Sequence, residues 1–114
     1  MNAALHCHNR QAILEKARFP KIAGTTSRSM RQVLEALAAR TVRDGLQSKF
    51  RPLDELRIAK SIGTARRVVT KAIIALESLR VITRMRSGGQ MTVCINWYTL
   101  ADFVPSPSFS RSEP

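Results

Sequence analysis

Apolar positions along the chain recur with the period of a helix in two long stretches and alternate like a strand near the C-terminal end. Met30, Val33, Leu34, Leu37, Ala38 and Thr41 stand at i, i+3, i+4, i+7, i+8 and i+11, one apolar stripe of a helix. Ser29 and Gln32 have the S-x-x-Q spacing of a capping box at its start. Asp44-Gly45 is its expected stop, because glycine takes the left-handed position past a helix end. The connector Leu46 to Arg51 has room for a short strand. A second helix is expected from Pro52, which suits a first helical position, with Asp54 and Glu55 where the helix dipole favours negative charge. Leu56, Ile58, Ala59 and Ile62 would form its buried face, and Gly63 would break it. Thr64 is the expected cap of a third helix, whose Val69, Ala72, Ile73, Leu76 and Leu79 again follow the helical period.

The period then changes. Val81 to Arg86 is β-branched and alternating, Ser87-Gly88-Gly89 reads as a turn, and Gln90 to Trp97 alternates with Met91, Val93, Ile95 and Trp97 on one face. Tyr98 to Phe103 has room for a last helical turn. Upstream, Asn9 to Arg18 is expected as a short helix with Ile13, Leu14 and Ala17 on one side, stopped by Pro20, which disfavours α geometry at Phe19. Residues 1–8 read as a frayed lead-in and Lys21 to Arg28 as a linker. Pro105 to Pro114 holds three prolines and four serines and is expected as a disordered tail. The organisation implied is a short N-terminal helix and linker at 1–28, one domain at 29–104 and a tail at 105–114. The fold class is mainly α with a small β-hairpin, that is, α+β.

The length of 114 residues fits one such domain. No apolar run reaches the roughly 18–20 residues that cross a bilayer, which argues against a membrane protein. Met1 to Arg10 has no basic region leading into an apolar one, so no secretory signal is expected. Two cysteines, Cys7 and Cys94, make no disulfide framework and point to a reduced, cytoplasmic setting. Charge sharpens the picture. Nineteen Lys and Arg against eight Asp and Glu give a net charge of +11, which attracts polyanions and nucleic acid above all. Between Arg57 and Arg86 stand eight basic residues and one acid, Glu77, so a surplus of seven falls within thirty residues.

That concentration coincides with a motif. The two expected helices joined through Ile62-Gly63-Thr64-Ala65 have helix-turn-helix spacing. The run Leu56-Arg57-Ile58-Ala59-Lys60-Ser61-Ile62-Gly63-Thr64-Ala65-Arg66-Arg67-Val68-Val69 resembles the winged helix-turn-helix of bacterial regulators. The continuation Lys71-Ala72-Ile73-Ile74-Ala75-Leu76-Glu77-Ser78-Leu79-Arg80-Val81-Ile82-Thr83-Arg84 is similar to the end of their recognition helix and the start of their wing. Short plasmid and phage regulators share the pattern, as do the DNA-binding modules of GntR-type repressors and of replication initiators. The resemblance covers residues 29–97. It departs at Arg80, where a glycine usually closes the recognition helix, so that helix must end in another way. It departs also at Thr64-Ala65, which replaces the more usual Val-Ser.

With the core positions removed, the outward face of the third helix offers Ala65, Arg66, Arg67, Thr70 and Lys71, with Ile74 beyond them. The resemblance implies that this face, beginning at Thr64, enters the major groove, where Arg to guanine is the commonest specific contact. It implies that the hairpin is a wing, its Arg84, Arg86, Ser87 and Gly88 lying over a minor groove or the backbone. Arg57 and Lys60 would meet backbone phosphates. The function implied is sequence-specific binding of double-stranded DNA by a small transcriptional regulator, repressing by operator occupancy. A plasmid or phage replication or partition factor is the nearest alternative. An RNA-binding or protein-interaction winged helix is an alternative of another class. Against RNA stands the lack of any aromatic residue between Arg57 and Arg86, since RNA binders usually interleave aromatics with their basic residues for stacking.

Other chemistry has little material. His6-Cys7-His8 places ligands too close for a tetrahedral site and has no second cluster, so no metal is expected. Gly88-Gly89 lacks the Lys-Ser/Thr of a phosphate loop, and Cys94 reads as a half-buried strand residue. No Ser-His-Asp or paired-carboxylate arrangement is evident, so neither an enzyme nor a cofactor is expected. No folded effector domain fits after residue 104, so no small-molecule effector is expected either. One helix-turn-helix reads only a few base pairs, so a homodimer is expected, with Ile13, Leu14, Phe19, Ile74 and Trp97-Tyr98 as spare apolar groups.

Overall fold

A computed structural model describes residues 10–105 of the chain. The elements run α1 (Arg10–Lys16), α2 (Ser27–Ala39), a 3-10 turn (Val42–Asp44), β1 (Arg51–Pro52), α3 (Glu55–Ile62), α4 (Arg66–Ser78), β2 (Ile82–Ser87), β3 (Gln90–Ile95) and α5 (Trp97–Ala101). Over these residues the fold is α+β, five helices with a three-stranded antiparallel sheet in the order β1-β3-β2. The lead-in at 1–8, Asn9 and the tail beyond Pro105 lie outside the described residues. Among the described residues no helix is long and apolar enough to cross a membrane.

Helix α4 runs through the middle of the core and packs against α2, α3 and β2. Its Val69, Ala72, Ile73 and Leu76 are fully buried, as the periodicity predicts. Met30, Val33, Leu34 and Leu37 of α2 close the core from one side, and Val93 and Ile95 of β3 close it from another. Ala59 is buried on α3, where a small side chain lets two helices approach. Ile13, Leu14 and Trp97 are buried in this same core and are not spare groups for a dimer. Phe19 is half-buried against Phe103, with ring centroids 5.6 Å apart.

Two arginines tie α1 to α2 reciprocally. Arg10 donates to the carbonyls of Ala38 at 2.7 Å and Gly45 at 3.1 Å, and also to that of Thr41. Its guanidinium carbon lies 4.6 Å from the Trp97 ring centroid. Arg31 of α2 donates back to the carbonyls of Ala17 at 2.5 Å and Leu14 at the end of α1. Carbonyls at a helix C-terminus lack intrahelical partners and favour cations, so each helix closes the other.

Several helix ends differ from the sequence expectation. Thr26, not Ser29, caps α2. Its backbone is extended and its Oγ1 accepts from the Ser29 amide at 3.0 Å, so Ser29 already lies in the first turn. Helix α2 ends at Ala39, ahead of Asp44-Gly45, where the Arg40 and Thr41 amides tighten onto the Leu37 and Ala38 carbonyls and Arg10 also holds the Ala38 carbonyl, and Gly45 ends the 3-10 turn instead. Pro52 is not a first helical residue. It pairs with Thr92 in β1, an edge position where a missing amide is tolerated, and Asp54 caps α3 by accepting from the Arg57 amide at 3.0 Å. Leu56, expected in the buried face of α3, is 50% exposed. At 3.6 residues per turn, Glu55 rather than Leu56 shares a side with Ile58, Ala59 and Ile62.

The end of α4 resolves the departure at Arg80. Arg80 adopts φ 64, the one positive φ of a non-glycine among the described residues. The Val81 amide donates to the Leu76 carbonyl at 3.0 Å and the Arg80 amide to the Glu77 carbonyl at 2.9 Å, the paired bonds of a Schellman ending. Asn96 Nδ2 holds the Arg80 carbonyl at 2.9 Å. The chain then enters β2, which pairs with β3 from Ile82↔Ile95 to Ser87↔Gln90. Gly88 and Gly89, at φ 58 and 80, make the two-residue turn whose twist matches the strands. Trp97 begins α5 rather than ending β3. Cys94 is buried rather than half-buried, paired with Thr83 across the ladder, and burial pushes its thiol up.

Candidate nucleic-acid interface

The turn between α3 and α4 is made by Gly63, left-handed at φ 81. The amides of Gly63 and Thr64 both donate to the Ala59 carbonyl, at 2.9 and 3.0 Å. Thr64 therefore finishes α3 and does not cap α4. Ala65 holds the cap position of α4, with an extended backbone and no side-chain bond to the helix. The first turn contains no acid and begins with Arg66 and Arg67. The leading amides thus meet no side-chain oxygen from Ala65, and two cations stand at the positive end of the helix dipole. For the helix this is unfavourable; for an anion it is a landing place.

From that start Arg67, Lys71, Ile74 and Ser78 lie exposed at i, i+4, i+7 and i+11, a single outward stripe. Arg67 and Lys71 enter none of the ion pairs among the described residues. The loop before α2 borders this stripe, since a Cβ added at Gly24 would lie 3.8 Å from Lys71 Cδ.

Arg66 and Thr70 are placed differently from their neighbours. Thr70 Oγ1 donates to Glu55 Oε1 at 2.5 Å, and Arg66 Nε lies 3.5 Å from the same oxygen. The Glu55 side chain is 14% exposed, turned inward between α3 and α4. Sequence reasoning missed this residue as an organiser of the face. Its one signal was its phase, shared with the core positions of α3.

On the hairpin, Arg84 is 24% exposed and forks onto Glu77 Oε1, through Nη2 at 2.8 Å and Nε at 3.1 Å. It braces β2 against the last turn of α4. Arg86 is exposed and donates to the Gly89 carbonyl at 3.3 Å, while Ser87 and Gly88 stand exposed at the tip. Arg57 and Lys60 are exposed on α3. Arg40, at the end of α2, joins Arg57, Arg66, Arg84 and Arg86, with Asp54 and Glu55 among them, around an open cleft of about 600 Å³ between the start of α3 and the hairpin. The sequence had no local signal for Arg40, whose position depends on where α2 packs. Arg66 lines this cleft and stands next in sequence to Arg67, the first residue of the α4 stripe.

Among the described residues no group of three His, Cys, Asp or Glu is placed to hold a metal ion, and His6-Cys7-His8 lies outside them. Comparison of the chain with known protein families, curated proteins and solved structures finds no match.

Proposed function

We propose that the chain binds double-stranded DNA sequence-specifically as a winged helix-turn-helix, with α4 as recognition helix, and acts as a small transcriptional regulator that occupies its operator. One observation carries this reading: an uncapped helix start bearing Arg66 and Arg67 runs without interruption into the exposed stripe Arg67, Lys71, Ile74 and Ser78. Amides at a helix start without a side-chain cap favour an anion, and while Glu55 offsets Arg66, Arg67 enters no ion pair among the described residues. The stripe spans about 16 Å of helix, a length the major groove accommodates. In this reading Arg67 and Lys71 meet base edges or the nearest phosphates, and Thr64 and Ala65 bring the backbone close to a phosphate. Thr70 acts through Glu55 by orienting the first turns. Arg57, Lys60 and Arg86, with Ser87 and Gly88 at the hairpin tip, grip the sugar-phosphate strand. With about five phosphates neutralised, log K falls against log salt with a slope near −4 to −5 per subunit.

A dimer on two half-sites follows from the few base pairs that one unit spans. Selection of bound sites from random duplexes tests the whole reading. One enriched palindrome supports the regulator, whereas arrays of direct repeats would move the chain to replication or partition. No enriched duplex, or preference for structured RNA at physiological salt, would overturn the reading.

A further inference from the structure

Ile74 is 51% exposed, in the third turn of α4, on the stripe between Lys71 and Ser78. The other aliphatic side chains of that helix face the core: Val69, Ala72, Ile73, Ala75 and Leu76 are buried and Val68 is half-buried. Ile74 therefore contributes little to the fold. The remaining large exposed apolar residues lie on other elements, among them Leu56 on α3, Met85 on β2 and Tyr98 on α5. On this face Ile74 is a single apolar group among the described residues, and one and two helical turns before it stand Lys71 and Arg67, which enter no ion pair among those residues.

We propose that Ile74 is a specificity residue that packs against the C5 methyl of a thymine in the major groove. The inference rests on the reading of α4 as recognition helix. In the major groove thymine alone of the four bases presents an apolar group beside its acceptor. Pressed against cytosine, adenine or guanine, the same side chain would shield a donor or acceptor from water and give it no partner. Ile74 thus favours T and penalises the other bases at one step of the site. Arg67 and Lys71 fix the register by their charge. A β-branched side chain in a helix has one dominant χ1 rotamer, so little freedom is lost on contact.

Uracil lacks only the methyl group, which makes it the probe. In the duplex enriched by selection, each thymine is replaced in turn by deoxyuridine, and binding is measured for the wild type and for Ile74→Ala. At one thymine per half-site, uracil is expected to weaken the wild type about three- to five-fold, the factor for burying roughly one methyl group. The Ile74→Ala protein should not distinguish the two duplexes there. Ile74→Val, which keeps a branched contact, should retain part of the difference. Alanine at this exposed helical position favours the helix, so folding is not at stake. If the two proteins respond alike to every uracil, the assignment fails while the DNA-binding reading stands. If Ile74→Ala weakens assembly on every duplex and the uracil response survives, the residue meets a second protomer and the assignment again fails. If no duplex is enriched, both fall.

Discussion

The Thr70 hydroxyl donates to the Glu55 carboxylate at 2.5 Å, joining the first turns of α4 to the start of α3. Arg66 Nε lies 3.5 Å from the same oxygen, so one inward-turned acid both places a threonine and restrains an arginine. Glu55→Gln keeps an acceptor for Thr70 and removes the charge. Stability should fall by about 1 kcal/mol as a charge-assisted bond becomes a neutral one. Duplex affinity at low salt should rise several-fold, because Arg66 is released and a negative charge leaves the face. Urea denaturation and fluorescence anisotropy read the two effects. A fall in both would mean that Glu55 serves only to hold Thr70.

Arg80→Gly should stabilise the fold. Left-handed geometry costs an L-residue roughly 1–2 kcal/mol, and glycine returns part of that gain through the entropy of its unfolded chain, about 0.5–1 kcal/mol. A net gain near 0.5–1 kcal/mol in urea denaturation is expected, with Arg80→Ala close to neutral. Destabilisation by glycine would show that the arginine side chain contributes more than its backbone conformation costs.

These two sites mark where the sequence could and could not be read. The stripes of α2 and α4 are set by neighbours three and four residues apart, and Gly88-Gly89 declares its own turn. Arg67 and Lys71 follow from those stripes, because an outward face is what an inward one leaves. Interactions across the chain are a different matter. The end of α2 is held by Arg10, twenty-eight residues before Ala38. Pro52 suits a helix start and an edge strand equally, and Thr92 on β3 decides between them. Leu56 and Glu55 differ by one residue of phase in a helix of eight. The partners of Arg66, Thr70 and Arg84 are acids delivered by packing, so the pattern of basic residues could not separate engaged arginines from available ones.

Ala65→Asp should trade function for stability. An aspartate at the cap position supplies the missing oxygen to the first amides of α4 and a charge favoured by the dipole, worth about 1 kcal/mol. The same charge stands where the proposed phosphate would lie. The thermal midpoint should rise and duplex affinity should drop tenfold or more, whereas Ala65→Ser should gain stability with a smaller loss of binding. Greater stability with unchanged affinity would remove the start of α4 from the interface.

The three arginines Arg67, Arg84 and Arg86 should fail in three different ways. Arg67→Ala should cost about 1–3 kcal/mol of preference for the selected site over an unrelated duplex. Arg86→Ala should weaken every duplex alike and reduce the salt slope by about one. Arg84→Ala should leave Glu77 without its guanidinium and cost under about 1 kcal/mol of stability, with less effect on binding than Arg86→Ala. Equal losses for Arg67→Ala and Arg86→Ala on every sequence would refute the division.

Asp44 gives the fold a pH dependence. Its buried carboxylate accepts from Arg51 Nε at 2.9 Å and from Arg51 Nη2, with Lys49 and Arg10 adding positive charge. The Arg51 hydrogen bond, first among these, holds the carboxyl below its ordinary value of 3.8. A depressed carboxyl binds fewer protons folded than unfolded, so its contribution is complete above the unfolded value and is lost as pH falls through the folded one. Asp44→Asn has no titrating carboxyl here and lacks this contribution. The stability gap between wild type and variant should be constant above about pH 5 and should narrow steadily toward about pH 3. Thermal melts across that range, followed by circular dichroism, measure the gap. Asp44 sits in the 3-10 turn where Arg10 also grips the end of α2, so the acid transition should loosen the α1–α2 junction before α4. Amide exchange should show that order, and uniform loss of protection would contradict it.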